Sequence, residues 1–363
     1  MAVILTSYYK HSPGGLCKRL FRAINALLAA GHDVHYLAVA PYPIVHPRCF
    51  FHRFPWPENR TNMLVFWGMF HLLAPLFLVF IGYRYKITHS FVFSHTYSLV
   101  MQPLRLLKQI PLTLFFHGDV LNKHRVKGRH HLLISLESLC ERLALSGARS
   151  FSVSSSLANT VRSRHRFSTP PQIDILRNHL QKPPTRGHDH IAHSPPLTLS
   201  CVGTIDHNKN QRFLCDVMEG IMPEQARLCL FGIGPQKEEL RELVHQRALE
   251  ERIAFMGWTS PENIYPQTAL LLMPSLSEGC PLAVLEALEY GIPVLASDIP
   301  EHREILPATS LLSIETPEKW VARIKEIVAD PFTALSTMRT AQQPYAERLC
   351  FDWDERIVNI IVS

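Results

Sequence analysis

The stretch 270-LLLMPSLSEGCPLAVLEALEYGIPVLASDIPEHREI-305 decides the reading of this chain. An apolar run, Ala269 to Met273, turns through Pro274 and Ser275. It reaches Glu278-Gly279-Cys280-Pro281 just before a helical run, Leu282 to Tyr290. Pro281 suits the first helical position, where a missing N–H costs nothing, and Gly291 with Pro293 supplies the stop. Ile292 to Ala296 then reads as the next strand, ending in Ser297-Asp298. Strand, loop, helix, strand is the unit of an open parallel α/β sheet. Ligands of such sheets sit beyond the carboxyl ends of the strands, and a helix N-terminus offers unpaired N–H groups to an anion. The loop Glu278 to Cys280 is therefore predicted to be a phosphate-ester site.

Two carboxylates flank it, Glu278 and Glu286, with seven residues between them. A carboxylate beside a phosphate is repelled unless it has hydroxyl groups to accept from, which points to a polyhydroxyl ligand such as a sugar nucleotide. The plain alternative is a pair of solvated helix-end acids, Glu278 favoured by the helix dipole. The surrounding residues add to the first reading. Glu278-Gly279-x-Pro281, then Glu286-Ala287, Gly291-Ile292-Pro293-Val294 and Glu304, resemble the E-x7-E signature of the retaining glycosyltransferases of family 4.

That resemblance implies the GT-B fold: α/β, two Rossmann-like domains facing across a cleft. It implies an N-terminal acceptor domain (1–180), a linker (181–196), a C-terminal nucleotide-sugar domain (197–344), and a final helix (345–363) crossing back to the first domain. The donor would be a UDP- or GDP-linked hexose, with no metal and no further cofactor. Carried onto this chain, the family pattern assigns catalytic roles to Glu278, His117 and Lys209. It assigns donor binding to Gly14, Gly15, Gly203, Lys209, Gly232, Gly279, Cys280, Pro281, Leu282 and Glu286. The family has Gly-Arg followed five residues on by Lys; here Thr204 replaces the Arg and Lys209 keeps the Lys. Arg177-Asn178-His179 stands where relatives have Pro-Asn-Gly.

A length of 363 residues accommodates two α/β domains, each with its own core. Eight cysteines lie far apart with no C-x-x-C pair, and read as buried reduced thiols of a cytoplasmic protein. MAVILTSYY lacks the basic start of a signal peptide and reads as a strand. The net charge of +6 hides a division: residues 1–180 hold 21 Lys and Arg against 6 Asp and Glu, and the remainder 16 against 25. A basic first half fits an anionic surface or acceptor. Nucleic acid would fit the charge, but no recognition motif accompanies it.

Along the chain, Ala2 to Ser7 is a strand, Pro13-Gly14-Gly15 a loop that lets backbone approach a ligand, and Leu16 to Ala30 a helix. Residues 63–83, MLVFWGMFHLLAPLFLVFIGY, are long enough nearly to span a bilayer. A single span is rejected because the strands on either side belong to one sheet. A helix buried on one face needs a polar stripe, and this one has only His71. It reads either as a helix sandwiched in a core or as a monotopic patch with Arg60, Arg84 and Lys86 meeting lipid headgroups. His71 reads as a satisfied helix histidine.

Ile110 to Phe116 is a buried strand with His117-Gly118-Asp119 at its carboxyl end, where the family's histidine touches the donor sugar. Lys123, Arg125, Lys127, Arg129, His130 and His131 read as a solvated basic loop or as a contact with an acceptor phosphate or a membrane. The helix Leu132 to Ser146 is expected to carry Glu137, Glu141 and Arg142 on its polar side. Ser154-Ser155-Ser156 offers N-caps for the next helix. In the second half, Leu197 to Val202 is a strand, Gly203 to Asn210 a loop, and Gln211 to Glu219 a helix. Gly232-x-Gly234 ends a further strand, and Tyr345 to Ile361 is one last helix.

The function expected is a retaining hexosyltransferase of polysaccharide or glycolipid biosynthesis. It would act on a glycan or lipid-linked acceptor at the cytoplasmic membrane face as a peripheral protein on an anionic surface. Two other readings stay open: a sugar-nucleotide epimerase of the same fold, and a non-catalytic membrane-associated partner protein.

Overall fold

A computed structural model describes residues 1–11, 15–61, 63–121, 131–165, 171–180 and 195–363. The chain forms two units. Unit 1 holds Met1–Arg177 and Asp352–Ser363, and unit 2 holds Asn178–Phe351.

Unit 1 is a seven-stranded parallel sheet in the order β3-β2-β1-β4-β5-β6-β7. The strands are β1 (Val3–Ser7), β2 (Asp33–Ala38), β3 (Cys49–Arg53), β4 (His89–Phe93), β5 (Leu112–Phe116), β6 (Arg149–Ser152) and β7 (Ile173–Ile175). Central strands such as β5 are buried on both faces, so they read as unbroken apolar runs. Strand β3 shows only a ragged apolar pattern and was not foreseen. It is an edge strand, half-exposed on both faces.

Unit 2 is a six-stranded parallel sheet, β10-β9-β8-β11-β12-β13. Its strands are β8 (Leu197–Val202), β9 (Ala226–Phe231), β10 (Ile253–Gly257), β11 (Leu270–Met273), β12 (Val294–Ser297) and β13 (Leu311–Leu312). The strand order reverses between β1 and β4 in unit 1 and between β8 and β11 in unit 2. Those are the switch points at which open parallel sheets bind ligands.

The helix Leu64–Arg84 lies between β3 and β4 in sequence. Both strands belong to the same sheet, so its two ends stay on one side of any membrane. His71 Nδ1 lies 2.7 Å from the Trp67 carbonyl, a local bond one turn back. Phe66, Phe70, Ala74, Leu78 and Ile81 form its buried stripe. The opposite stripe, Val65, Leu72, Leu76, Phe80 and Tyr83, is apolar too and between 56 and 67% exposed.

The expected last helix is two. Helix Pro331–Arg348 belongs to unit 2, and Trp353–Val362 belongs to unit 1. The break falls where Asp352 accepts the Glu355 N–H at 2.8 Å, an N-cap that starts a new helix. Trp353 is buried under Arg19 and Arg22, 5.7 and 6.0 Å from its ring, and Arg22 is 2.6 Å from Asp354. The return to unit 1 therefore begins at Asp352 and not at 345. Residues 181–194 of the expected linker lie outside the described residues. All eight cysteines are free thiols.

Candidate functional site

Two loops leave the switch point of unit 2, one after β8 and one after β11, and four bonds stitch them together. The Leu276 N–H donates to the Asn208 carbonyl at 2.8 Å, Asn208 Nδ2 to the Ser277 carbonyl at 2.5 Å, and Asn210 Nδ2 to the Pro274 carbonyl at 3.2 Å. Lys209 Nζ donates to Glu278 Oε1 at 2.6 Å. The β8 loop is shaped for this: Asp206 Oδ1 accepts the Lys209 N–H at 3.0 Å, and Asn210 takes a left-handed φ of 53°, which Asn tolerates. Gly203 stands where a Cβ would come within 3.2 Å of Lys209 Cε, so its bareness lets the lysine stem pass. Asn208 and Asn210 were not foreseen. The signal was the Asn-Lys-Asn triplet, whose outer residues point nowhere in a one-dimensional reading.

Glu278 is only 9% exposed. Burial alone would raise its pKa, but the Lys209 ammonium and the Ser275 hydroxyl, 2.7 Å from the same oxygen, hold it below the ordinary carboxylate value. Both bonds fall on Oε1, and no described residue donates to Oε2. Gly279 and Cys280 follow in the loop, and Asn178 Nδ2 reaches the Cys280 carbonyl at 3.2 Å. Asn178, too, gave no sign of this contact in its local sequence.

Pro281 is the N-cap, with an extended ψ of 110°, and not the first helical residue; the helix is Leu282–Glu289. Its N-terminus leaves N–H groups without helical partners at the mouth of the site. Glu286, one turn in, is 3.1 Å from the hydroxyl of the buried Tyr265, whose pKa is pushed well up, by burial first and then by Glu286.

Gly232 is required by packing, because a Cβ there would lie 1.9 Å from the Gly203 carbonyl oxygen. Thr204 is exposed, and its carbonyl accepts from Gln211 Nε2 at 3.0 Å. A cavity of 260 Å³ is lined by Ile205, His207, Arg212, Gln236 and Glu239 among others, and neither Lys209 nor Glu278 lines it.

In unit 1, Gly15 is the first residue of the helix Gly15–Ala29, and Gly14 lies outside the described residues. His117 follows β5, its ring stacked on Phe93 at 4.6 Å. Burial, with the nearby Arg19 guanidinium, pushes its pKa down to about 3, so the imidazole is neutral. Its Nε2 is buried without a partner among the described residues. Asp119 Oδ2 is 2.5 Å from Arg164, which also pairs with Glu141 at 3.0 Å.

Glu141 is 2% exposed and also 2.7 Å from His165, which corrects its expected place on the polar side of the helix. Glu137 pairs with buried His95, 2.8 Å away. His95 carries no motif that would single it out in the sequence. It opens the helix after β4 next to Ser94, whose φ of 123° is a strained value for a residue with a side chain. The basic residues 123–130 lie outside the described residues.

Residues 196–330 match the family model described as "Glycosyl transferases group 1", and residues 14–179 match "Glycosyl transferase 4-like domain". The O-antigen biosynthesis glycosyltransferase WclY of Escherichia coli is 44% identical over 75 residues, 20% of this chain and 21% of that protein. The lipopolysaccharide core biosynthesis mannosyltransferase LpsB of Rhizobium meliloti is 30% identical over 120 residues, 31% of this chain and 34% of that protein. The aligned segments of this chain span about a fifth to under half the length of such relatives.

Among solved structures, sucrose-phosphate synthase from Thermosynechococcus elongatus superposes with a TM-score of 0.78 at 20% identity, covering 99% of this chain and 97% of that one. Anabaena Alr3699/HepE, in complex with UDP and glucose, gives 0.76 at 15% identity over 99% of both. WaaG, a glycosyltransferase involved in lipopolysaccharide biosynthesis, gives 0.76 at 13% identity over 99% and 100%. The fold is that of these GT-B proteins.

Proposed function

We infer, for a chain that belongs to the group 1 glycosyltransferases of the family 4 type, the transfer of a hexose from a nucleotide diphosphate sugar to a glycan or lipid-linked acceptor. The observation that carries this reading is the Lys209–Glu278 pair at the switch point of unit 2, beside the N-terminus of helix Leu282–Glu289. A departing diphosphate needs positive charge already in place. The Lys209 ammonium and the free N–H groups of that helix are such charges, preorganised in a partly buried site.

Glu278 Oε2, the oxygen without a described partner, accepts from sugar hydroxyls, and Glu286 accepts from the ribose. Gly279, Cys280, Pro281 and Leu282 shape the diphosphate loop, with Gly203 leaving room for Lys209. His117, at the end of β5 in unit 1, is a neutral imidazole. Retention follows from attack on the face the leaving group departs from, with the leaving phosphate taking the acceptor proton. No protein base and no metal is required for that step. Thr204 offers a hydroxyl where relatives place a second cation, so Lys209 carries more of the charge here.

The acceptor is presented at the cytoplasmic face of a membrane, with the chain bound peripherally. Support comes from the helix Leu64–Arg84: its outward stripe of Val65, Leu72, Leu76, Phe80 and Tyr83 is exposed, and so are Arg84 and Lys86 at its end. An apolar stripe rimmed by cations suits an anionic leaflet. The basic surplus of residues 1–180 has the same sign.

A thermal-shift panel of UDP- and GDP-sugars tests the donor. One nucleotide class should raise the melting temperature, since a ligand held at about a hundred times its Kd adds roughly 2.7 kcal/mol. Folded protein that no nucleotide or nucleotide sugar stabilises overturns the reading.

A further inference from the structure

Beneath Glu278 runs a buried polar chain that donor binding by itself leaves unexplained. Ser275 Oγ donates to Glu278 Oε1 at 2.7 Å, and the Ser275 carbonyl accepts from Ser297 Oγ at 2.5 Å. The Ser297 carbonyl lies 2.8 Å from His302 Nδ1, and Ser297 Oγ lies 3.2 Å from the same nitrogen. Ser275, Ser297 and His302 are fully buried. The chain joins the loop after β11 to the turn after β12.

The tautomer follows from the partners. A carbonyl oxygen only accepts, so His302 Nδ1 carries the ring proton and Nε2 is an acceptor. No described residue donates to that Nε2. Burial chiefly, with the Lys209 ammonium, lowers the pKa of the ring against the opposing pull of the Ser297 carbonyl and the Glu278 carboxylate, and so keeps it neutral.

The direction of the Glu278 carboxylate cannot come from Lys209 alone. An ammonium on a four-carbon stem is a point charge that follows its partner. Direction has to come from the Ser275 hydroxyl, and Ser275 is held in turn by Ser297. The Ser297 carbonyl is buried and has to be satisfied, and His302 Nδ1–H satisfies it.

We propose that His302 is a positioning residue for recognition of the donor sugar: its Nδ1–H fixes the turn after β12, and through Ser297 and Ser275 it keeps Glu278 Oε1 occupied and Oε2 turned to sugar hydroxyls. This rests on the donor reading above. It separates His302 from the nucleotide, so its loss shows in the sugar and not in the diphosphate.

Two variants separate the N–H from the bulk of the ring. His302→Phe keeps the ring volume without the donor, and His302→Asn keeps an amide donor near the Nδ1 position. The readouts are the Kd values for UDP and UDP-glucose, with GDP and GDP-mannose if those stabilise the protein instead, and amide exchange of residues 274–279 in the ligand-free protein.

In H302F the advantage of nucleotide sugar over nucleotide should shrink by about tenfold, the worth of one hydrogen bond set, as it should in Glu278→Gln. Binding of the bare nucleotide should stay within about threefold. Exchange over 274–279 should be about tenfold faster in H302F, and H302N should stay near the parent in both readouts. An H302F that exchanges like the parent overturns the proposal, and so does an H302N as impaired as H302F. If the parent binds no nucleotide at all, it is the donor reading that fails, and amide exchange still decides whether His302 holds the loop.

Discussion

Lys209 Nζ lies 2.6 Å from Glu278 Oε1, so two residues 69 positions apart in the chain form a largely buried ion pair between neighbouring strand ends. The ammonium is thereby fixed at the switch point of unit 2, and the carboxylate stays charged in a place where burial alone would raise its pKa.

Removing one partner of such a pair strands the other. Lys209→Met should cost up to about 3–5 kcal/mol, and adding Glu278→Gln should return a good part of that. Glu278 titrates below its ordinary value, so its contribution to stability is present above about pH 4.5 and is lost as pH falls through its folded pKa. In K209M that loss should begin at higher pH. Melting temperatures between pH 3 and 7 check both statements, and equal acid limbs for parent and K209M would contradict them.

Gly232 and Gly257 both take left-handed φ values, 149° and 72°, but only one is crowded. A Cβ at 232 meets the Gly203 carbonyl at 1.9 Å, whereas at 257 nothing lies within 4 Å. Gly257→Ala should therefore cost about 1–2 kcal/mol, the backbone preference alone. Gly232→Ala should cost clearly more and disturb the Gly203–Lys209 loop, visible as a loss of nucleotide binding as well as of denaturation midpoint.

Acid should weaken unit 1 through its neutral histidines. Burial, with His52 beside it at 2.9 Å, lowers the pKa of His35 to about 4, and His117 lies lower still, at about 3. Below pH 6.5 the unfolded chain takes up protons that these rings refuse, so stability falls from pH 6.5 toward pH 4 and below. His35→Phe should flatten that slope in a melting series from pH 7.5 to 5. A slope unchanged by the substitution would assign the effect to other groups.

The exposed stripe of helix Leu64–Arg84 predicts binding to lipid. Leu72→Gln with Leu76→Gln alters side chains that are 67 and 66% exposed, so each change should move stability by no more than about 0.5 kcal/mol. Flotation with vesicles containing anionic lipid should be strong for the parent and largely lost for the double variant. High salt should weaken it through the basic rim. Flotation equal for both proteins would show that the stripe is not the contact.

Much of the loop at Glu278 is legible in the sequence because its signals are local. Apolar run, Pro274, Glu278-Gly279 and the Leu282–Glu289 helix follow one another within twenty residues, and each obeys a rule of period, turn or cap. The edge strand Cys49–Arg53 escaped notice because half-exposed edges carry no clean alternation. The break at Leu349–Asp352 escaped because an apolar period continues across it, and only Asp352 turning to cap Glu355 shows a new helix. Glu141 looked like a surface acid because a helix face shows polarity and not what docks on it; Arg164 and His165 make its burial tolerable.

By itself the amino-acid order determined two α/β halves, the strand and helix runs of each, the loop at Glu278 and the lysine at 209, since these depend on residues near one another in the chain. Only the folded sheets decided which of those residues meet. Strand order brings the ends of β8 and β11 together, and with them Asn208, Lys209 and Asn210 against residues 274–278. It also placed Ser297 and His302 under Glu278 and left one stripe of the helix Leu64–Arg84 exposed. The reason is that hydrogen bonds and burial are settled by proximity in space, which a parallel sheet creates between segments tens of residues apart.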